Sequence, residues 1–348
     1  MSKEIVAIAP GQIILRRYEE KLPELNQVCI RSELSAEKHG TTVTFYKGLT
    51  SHSEKIWDDE LELFLPQKGG TSIFPMHLGN ITVGTVTKIG KEVARFKVGD
   101  RVWGYLPIRK NHSIEEDRVY LVPPGLRDEQ IVCIDPAVVA LMSVREARFS
   151  LGDKVAVFGL GAIGLLTVQM ARLSGATFVV GIDPVSSRRK LAKKYGADLI
   201  IDPTASDAGL EIKLATEKKG VDIAIEVSGS YKALHQAIRG VRYGGRIVPV
   251  SFYHGEAKDL NLGEEWHLNR YTMVSGIRVE SEPYRDHPRW DRQRIYKTVI
   301  ELFQKKNLII NGLLHIVDFG DVLEAYRTID EHPDRWIKLA VKYRRGEK

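Results

Sequence analysis

Gly159, Gly161 and Gly164 fall at G-x-G-x-x-G spacing, and Asp183 follows the last of them by nineteen residues. Those residue types at that spacing suit one task, holding a dinucleotide. Gly159 permits a tight turn, Gly161 lets a pyrophosphate approach bare backbone, and Gly164 lets a helix pack closely on a sheet. Ala162 and Ile163 open that helix, whose free N–H groups and positive dipole end face the phosphates. A carboxylate at Asp183 suits the two ribose hydroxyls and repels a 2′-phosphate, which predicts NAD. Arg188 and Arg189 close by leave NADP open.

The elements that must carry these residues surround them. Residues 155–158 are an unbroken apolar run, the pattern of a buried parallel strand. Ile163, Leu165, Leu166, Val168, Met170 and Leu173 supply the apolar stripe of a helix, Gly175 ends it, and 178–182 reads as a second strand. Alternation continues with helices at 137–147, 186–195 and 231–241 and strands at 199–201, 221–227, 246–251 and 273–279. This predicts a parallel, doubly wound sheet. Before residue 135 the chain reads as short strands at 5–9, 27–32, 81–89 and 101–105, separated by turns, which suggests a small barrel. Residues 49–70 are charged and irregular, a surface excursion. After residue 277 come a long amphipathic helix at 292–306, a shorter one at 319–329, and a strand at 338–343 that rejoins the barrel. The expected division is 1–135 for the first part of a β-barrel catalytic domain, 136–276 for the dinucleotide-binding domain and 277–348 for the rest of the catalytic domain.

A chain of 348 residues suits two domains, and 43% apolar with 28% charged residues is ordinary globular composition. The net charge of +6 is scattered among acids, which speaks against a nucleic-acid partner. The longest apolar window, 155–166, falls short of the roughly 20 residues of a membrane span, and no secretory leader is evident. Cys29 and Cys133 are the only cysteines, too few for a four-cysteine structural zinc lobe. A reducing, cytoplasmic setting is expected.

Several segments resemble the medium-chain dehydrogenase/reductase superfamily of zinc alcohol and polyol dehydrogenases, over essentially the whole chain. Residues 39–48, HGTTVTFYKG, are similar to that family's C-G-T-D-x-H-x-Y-x-G segment. Gly79-Asn80-Ile81 with 83–86 is similar to its G-H-E-x-x-G-x-V segment, 96–102 to its F-x-x-G-D-R-V turn, and Asp135-Pro136 to the Glu-Pro of polyol dehydrogenases. The resemblance implies a GroES-like barrel beside a Rossmann sheet. It also implies that Ser228, Gly229, Val250, Ser251, Phe252, Ser275, Gly276 and Ile277 lie along the cofactor. Where the family places zinc-binding side chains, this chain has His39, Asn80 and Ile81, so no metal is expected. The substrate proton then falls to His39 and to Thr41, which matches the family's proton-relaying hydroxyl. The competing reading of His39 is a packed, hydrogen-bonded ring in a vacated metal site. Asp135 would orient His39, bind a substrate hydroxyl or cap a helix. Glu37 and Lys38 are expected as exposed loop charges, and Trp57, Trp103 and Tyr105 as core, with lining of the substrate pocket as their alternative.

The leading expectation is a zinc-independent, NAD-dependent oxidoreductase. It would interconvert a secondary alcohol (a polyol, cyclitol or sugar derivative) and its ketone. A zinc-free quinone or enoyl reductase and a non-catalytic NAD(P)-binding sensor are the alternatives. The only partners expected are a small-molecule substrate and further copies of the chain, as a homodimer or homotetramer joined at the cofactor-sheet edge.

Overall fold

The computed structural model describes residues 2–49, 55–66, 73–277 and 288–344, apart from the side chain of His39. It divides into two compact units, Met1–Val132 with Leu314–Lys348, and Cys133–Leu313.

In the first unit one sheet runs in the order Val119–Leu121, Arg101–Gly104, Ile81–Ile89, Gln27–Ala36, Lys338–Lys342, Leu314–Asp318. Gln27–Ala36 is its hub. One edge pairs along its length with Ile81–Ile89, and the other is shared between Asn111–Glu115 and Lys338–Lys342. The late strand thus does rejoin the barrel, with Ala340 opposite Ala36. A smaller sheet joins Ser2–Ala9 to Gln12–Tyr18 and Met76–His77. Inward strand residues of both sheets (Ile5, Ala7, Leu339, Val341), with Leu78 and Ile108 from the segments between strands, meet Tyr326 and Ile329 from the helix Val322–Glu331 in one apolar core. The region 49–70 contains a hairpin, Lys55–Asp58 with Leu63–Pro66, in which exposed Trp57 meets Phe64 edge-on. Trp103 is buried, as expected, whereas Trp57, read the same way, is exposed on its hairpin with Phe64 as its ring neighbour.

The second unit carries a parallel six-stranded sheet in the order Leu199–Ile201, Phe178–Ile182, Lys154–Phe158, Val221–Glu226, Val241–Pro249, Thr272–Met273. This 3-2-1-4-5-6 order is the doubly wound arrangement. Its two inner strands, Lys154–Phe158 and Val221–Glu226, are apolar nearly throughout, because helices cover both faces. The expected sixth strand, 273–279, is shorter. Regular pairing stops at Met273, and only single bonds from Val274 N–H to Ile247 and Gly276 N–H to Pro249 continue it; 278 and 279 lie outside the described residues.

Both domain boundaries differ from the expected ones. Asp135 belongs to the second unit, since its helix, Ile134–Ala147, packs on that unit's sheet and on the helix Ala162–Leu173. The helix Arg292–Gln304, expected with the catalytic domain, also belongs there. Its buried stripe of Ile295, Val299 and Phe303 packs on Ile134–Ala147. The Gln169 side chain then clamps the segment that follows, accepting from Ile309 N–H at 2.8 Å and donating to Ile309 C=O at 3.0 Å. Among the described residues no helix is long and apolar enough to cross a membrane.

Candidate active site and cofactor turn

The chain leaves the buried end of Lys154–Phe158 through Gly159 at φ 89°, backbone that other residues rarely adopt. A Cβ at Gly159 would lie 2.8 Å from Ser228 N, and one at Gly164 would lie 1.8 Å from Gly159 O. Strand and helix therefore approach as closely as bare peptide allows. Gly161 differs. It stands at the N-cap of Ala162–Leu173, and nothing lies within 4 Å of where its Cβ would be. Beside that open space the first turn, Ala162 and Ile163, is half-buried and keeps N–H groups that no intrahelical carbonyl satisfies.

Asp183 ends the neighbouring strand and is buried. One carboxylate oxygen accepts from Leu160 N–H at 2.8 Å and the other from Val185 N–H at 2.8 Å. The side chain thus fastens the glycine turn, and each oxygen retains acceptor capacity for a further hydroxyl. Arg188 approaches it to 3.9 Å. Arg189 is committed elsewhere, to the Asp183 carbonyl at 2.6 Å and to Asp202 at 2.8 Å.

The other expected cofactor residues form a continuous rim on this unit. Gly229 adjoins Ser251 and Phe252, with the Phe252 carbonyl 3.1 Å from its Cβ position. Gly276 leaves no room for a Cβ against Val248 and Val250, and Ile277 N–H points to Ser275 Oγ at 3.4 Å. Holding this rim is Glu226, which sequence reasoning missed. Its wholly buried carboxylate accepts from Ser228 N–H at 2.7 Å, from the Ser228 hydroxyl, from Gly229 N–H at 3.2 Å and from the Tyr253 hydroxyl. Burial pushes the Glu226 carboxyl up, and these donors pull it back only in part. The available signal was an acid ending an apolar strand just before Ser-Gly.

The catalytic candidates are carried by different units. His39 and Thr41 open the helix His39–Tyr46 in the first; Thr41 is half-buried, and the His39 side chain lies outside the described residues. Asp135 sits buried in the first turn of Ile134–Ala147 in the second. Glu37, expected as an exposed charge, is instead fully buried. Its carboxylate accepts from Lys38 N–H at 2.6 Å, from the Tyr326 hydroxyl, from Thr42 and from the backbone at Gly79. Lys338 donates to the Glu37 carbonyl at 2.6 Å. Desolvation holds this carboxyl above the usual carboxylate range. Glu37 therefore ties the segment after His39 to the segment before Asn80. Asn80 Nδ2 is buried without a partner, and Ile81 is buried in its strand.

Comparison with known proteins fits this geometry. Residues 162–292 match the family model described as zinc-binding dehydrogenase. The chain is 37% identical over 350 residues to the D-guloside 3-dehydrogenase of Escherichia coli K12, covering 98% of this chain and 100% of that protein. It is 31% identical over 211 residues to the (R,R)-butanediol dehydrogenase of Bacillus subtilis, covering 53% and 61%. The crystal structure of 2R,3R-butanediol dehydrogenase from Bacillus subtilis matches with a TM-score of 0.76 at 24% identity, over 98% of this chain and 99% of that one. With full-length identity of this size behind the fold and the cofactor turn, the chain belongs to the zinc-binding dehydrogenase family and is an alcohol/polyol dehydrogenase-like oxidoreductase.

Proposed function

We propose that this protein oxidises a secondary hydroxyl of a sugar derivative to the ketone, with NAD as acceptor and without a catalytic zinc ion. The observation that carries the reading is full-length likeness to a protein named as a D-guloside 3-dehydrogenase, in a chain whose own glycine turn and Asp183 are arranged for a dinucleotide.

The donor set speaks against zinc. A catalytic zinc needs about three N, S or carboxylate O ligands and an open position. At the family's metal positions Asn80 offers an amide and Ile81 only hydrocarbon. No step is therefore assigned to a metal.

For NAD the residues fit. N–H groups at the helix start behind Gly161 would hold the pyrophosphate, Asp183 the ribose hydroxyls, and the rim from Ser228 to Ile277 the nicotinamide end. Bound NAD supplies the acceptor for the carbinol hydride. The hydroxyl proton passes to the Thr41 hydroxyl and on to the His39 imidazole, whose ordinary pKa of about 6.5 suits transfer near neutrality. A homodimer or homotetramer joined at the edge strand Thr272–Met273 belongs to the same reading, in a cytoplasmic setting.

The test is absorbance at 340 nm with NAD and a panel of glycosides and polyols, before and after exhaustive chelation. The reading expects turnover that survives chelation and falls about 10²-fold or more in His39→Ala and Thr41→Ala. Activity lost to the chelator and restored by zinc would overturn the metal-free part. Turnover of enones or quinones alone would overturn the substrate class.

A further inference from the structure

The strands Val221–Glu226 and Val241–Pro249 share a last backbone bond, Val250 N–H to the Glu226 carbonyl at 2.9 Å, and then run on into two loops. Among the described residues no backbone hydrogen bond joins 227–230 to 251–253. The side chain of Glu226 joins them instead, and its two oxygens divide the work. One accepts from Ser228 N–H at 2.7 Å and from the Ser228 hydroxyl. The other accepts from Gly229 N–H at 3.2 Å on the first loop and from the Tyr253 hydroxyl on the second. That second oxygen is the bridge.

The groups around it favour a fixed arrangement. Burial and the Glu226 charge push the Tyr253 phenol up, so it stays protonated and donates. A hydroxyl that donates to a carboxylate makes one of the stronger hydrogen bonds available to a side chain. The Tyr253 ring rests against that of Tyr231, with centroids 5.1 Å apart, and Tyr231 opens the helix Tyr231–Gly240. The second loop is thereby held to the first loop and to the helix that follows it.

We infer that Glu226 is a positioning residue for the nicotinamide half of the cofactor, acting through Tyr253 to fix Ser251 and Phe252 against Gly229. This rests on the dinucleotide reading proposed above. Glu226 is wholly buried and touches neither cofactor nor substrate; the loops it joins do. The adenosine half is held independently. Asp183 fastens the glycine turn through Leu160 and Val185, with no part played by Tyr253. Ser228, which abuts Gly159, keeps both of its bonds to the first oxygen when Tyr253 is changed.

The test is calorimetric titration of the full-length chain with NADH and with ADP-ribose, which has the adenosine and both phosphates but no nicotinamide. In Tyr253→Phe the affinity for NADH should fall about tenfold, while that for ADP-ribose stays within about twofold. Glu226→Gln should show the same split, because its amide nitrogen cannot accept from either loop. Should Glu226→Gln fail to fold, Tyr253→Phe decides alone, since it deletes one hydroxyl and keeps the ring contact. Equal losses for the two ligands would mean a merely structural role and would overturn the inference, as would undiminished NADH affinity. An unaltered chain that bound neither ligand would instead overturn the dinucleotide reading, and this inference with it.

Discussion

The carboxylate of Glu37 accepts the hydroxyl hydrogen of Tyr326 across 289 positions of sequence, with both side chains buried. Through this bond the helix Val322–Glu331 supports the loop that delivers His39 and Thr41. In Tyr326→Phe the buried carboxylate loses a donor, which should cost about 2 kcal/mol. Urea unfolding checks the loss. NADH affinity should stay unchanged, because the cofactor turn belongs to the other unit.

Two glycines three positions apart should separate stability from binding. Gly161→Ala adds a methyl to open space, so its melting temperature should match the parent while NADH affinity falls tenfold or more. Gly164→Ala drives a methyl into the Gly159 carbonyl, 1.8 Å from an ideal Cβ, and should lose stability and binding together. Thermal melts beside fluorescence titration with NADH distinguish the two. Equal behaviour of the pair would count against the pyrophosphate cradle.

Asp183→Ala should move the preference from NAD toward NADP by about tenfold, equivalent to about 1.4 kcal/mol. Removing the carboxylate removes its repulsion of a 2′-phosphate and leaves Arg188 beside it. It also strips the Leu160 and Val185 N–H groups of their acceptor, so the variant should melt at a lower temperature. Ratios of kcat/KM for the two nucleotides give the answer.

His112 should make the protein acid-sensitive. Its folded pKa of about 3 lies below the ordinary 6.5, so between those values the unfolded chain binds the proton and the native state does not. Stability is therefore undiminished above pH 6.5 and lost as pH falls toward 3, in total on the order of 5 kcal/mol. His112→Phe should flatten that part of the pH profile, read from denaturant midpoints between pH 4 and 7.

What the sequence made legible was whatever depends on neighbours in the chain. The glycine spacing, the strand Phe178–Ile182 and the acid that follows it have local requirements, and the structure keeps them in place. The parallel, doubly wound class of the sheet followed from alternation; the order of its strands comes from the structure. The burial of Glu37 was not legible, because Tyr326 and Lys338 come from the far end of the chain. Glu226 was hidden likewise, since its strand is apolar and Tyr253 lies 27 residues on. The stripe of Ile295, Val299 and Phe303 announced a buried face without saying against which unit. The strands Gln12–Tyr18 and Leu314–Asp318 escaped notice because half-buried Arg16 and His315 and exposed Arg17 interrupt their patterns.

The hub strand Gln27–Ala36 pairs at one end with Lys338–Lys342. During synthesis, residues 133–313 emerge as one uninterrupted piece and can assemble while the barrel still lacks two strands and a helix. The first-made part of the polypeptide is thus the last to be finished. Until residues 338–342 have left the ribosome it presents an open strand edge, the kind of surface on which chaperones and wrong partners compete.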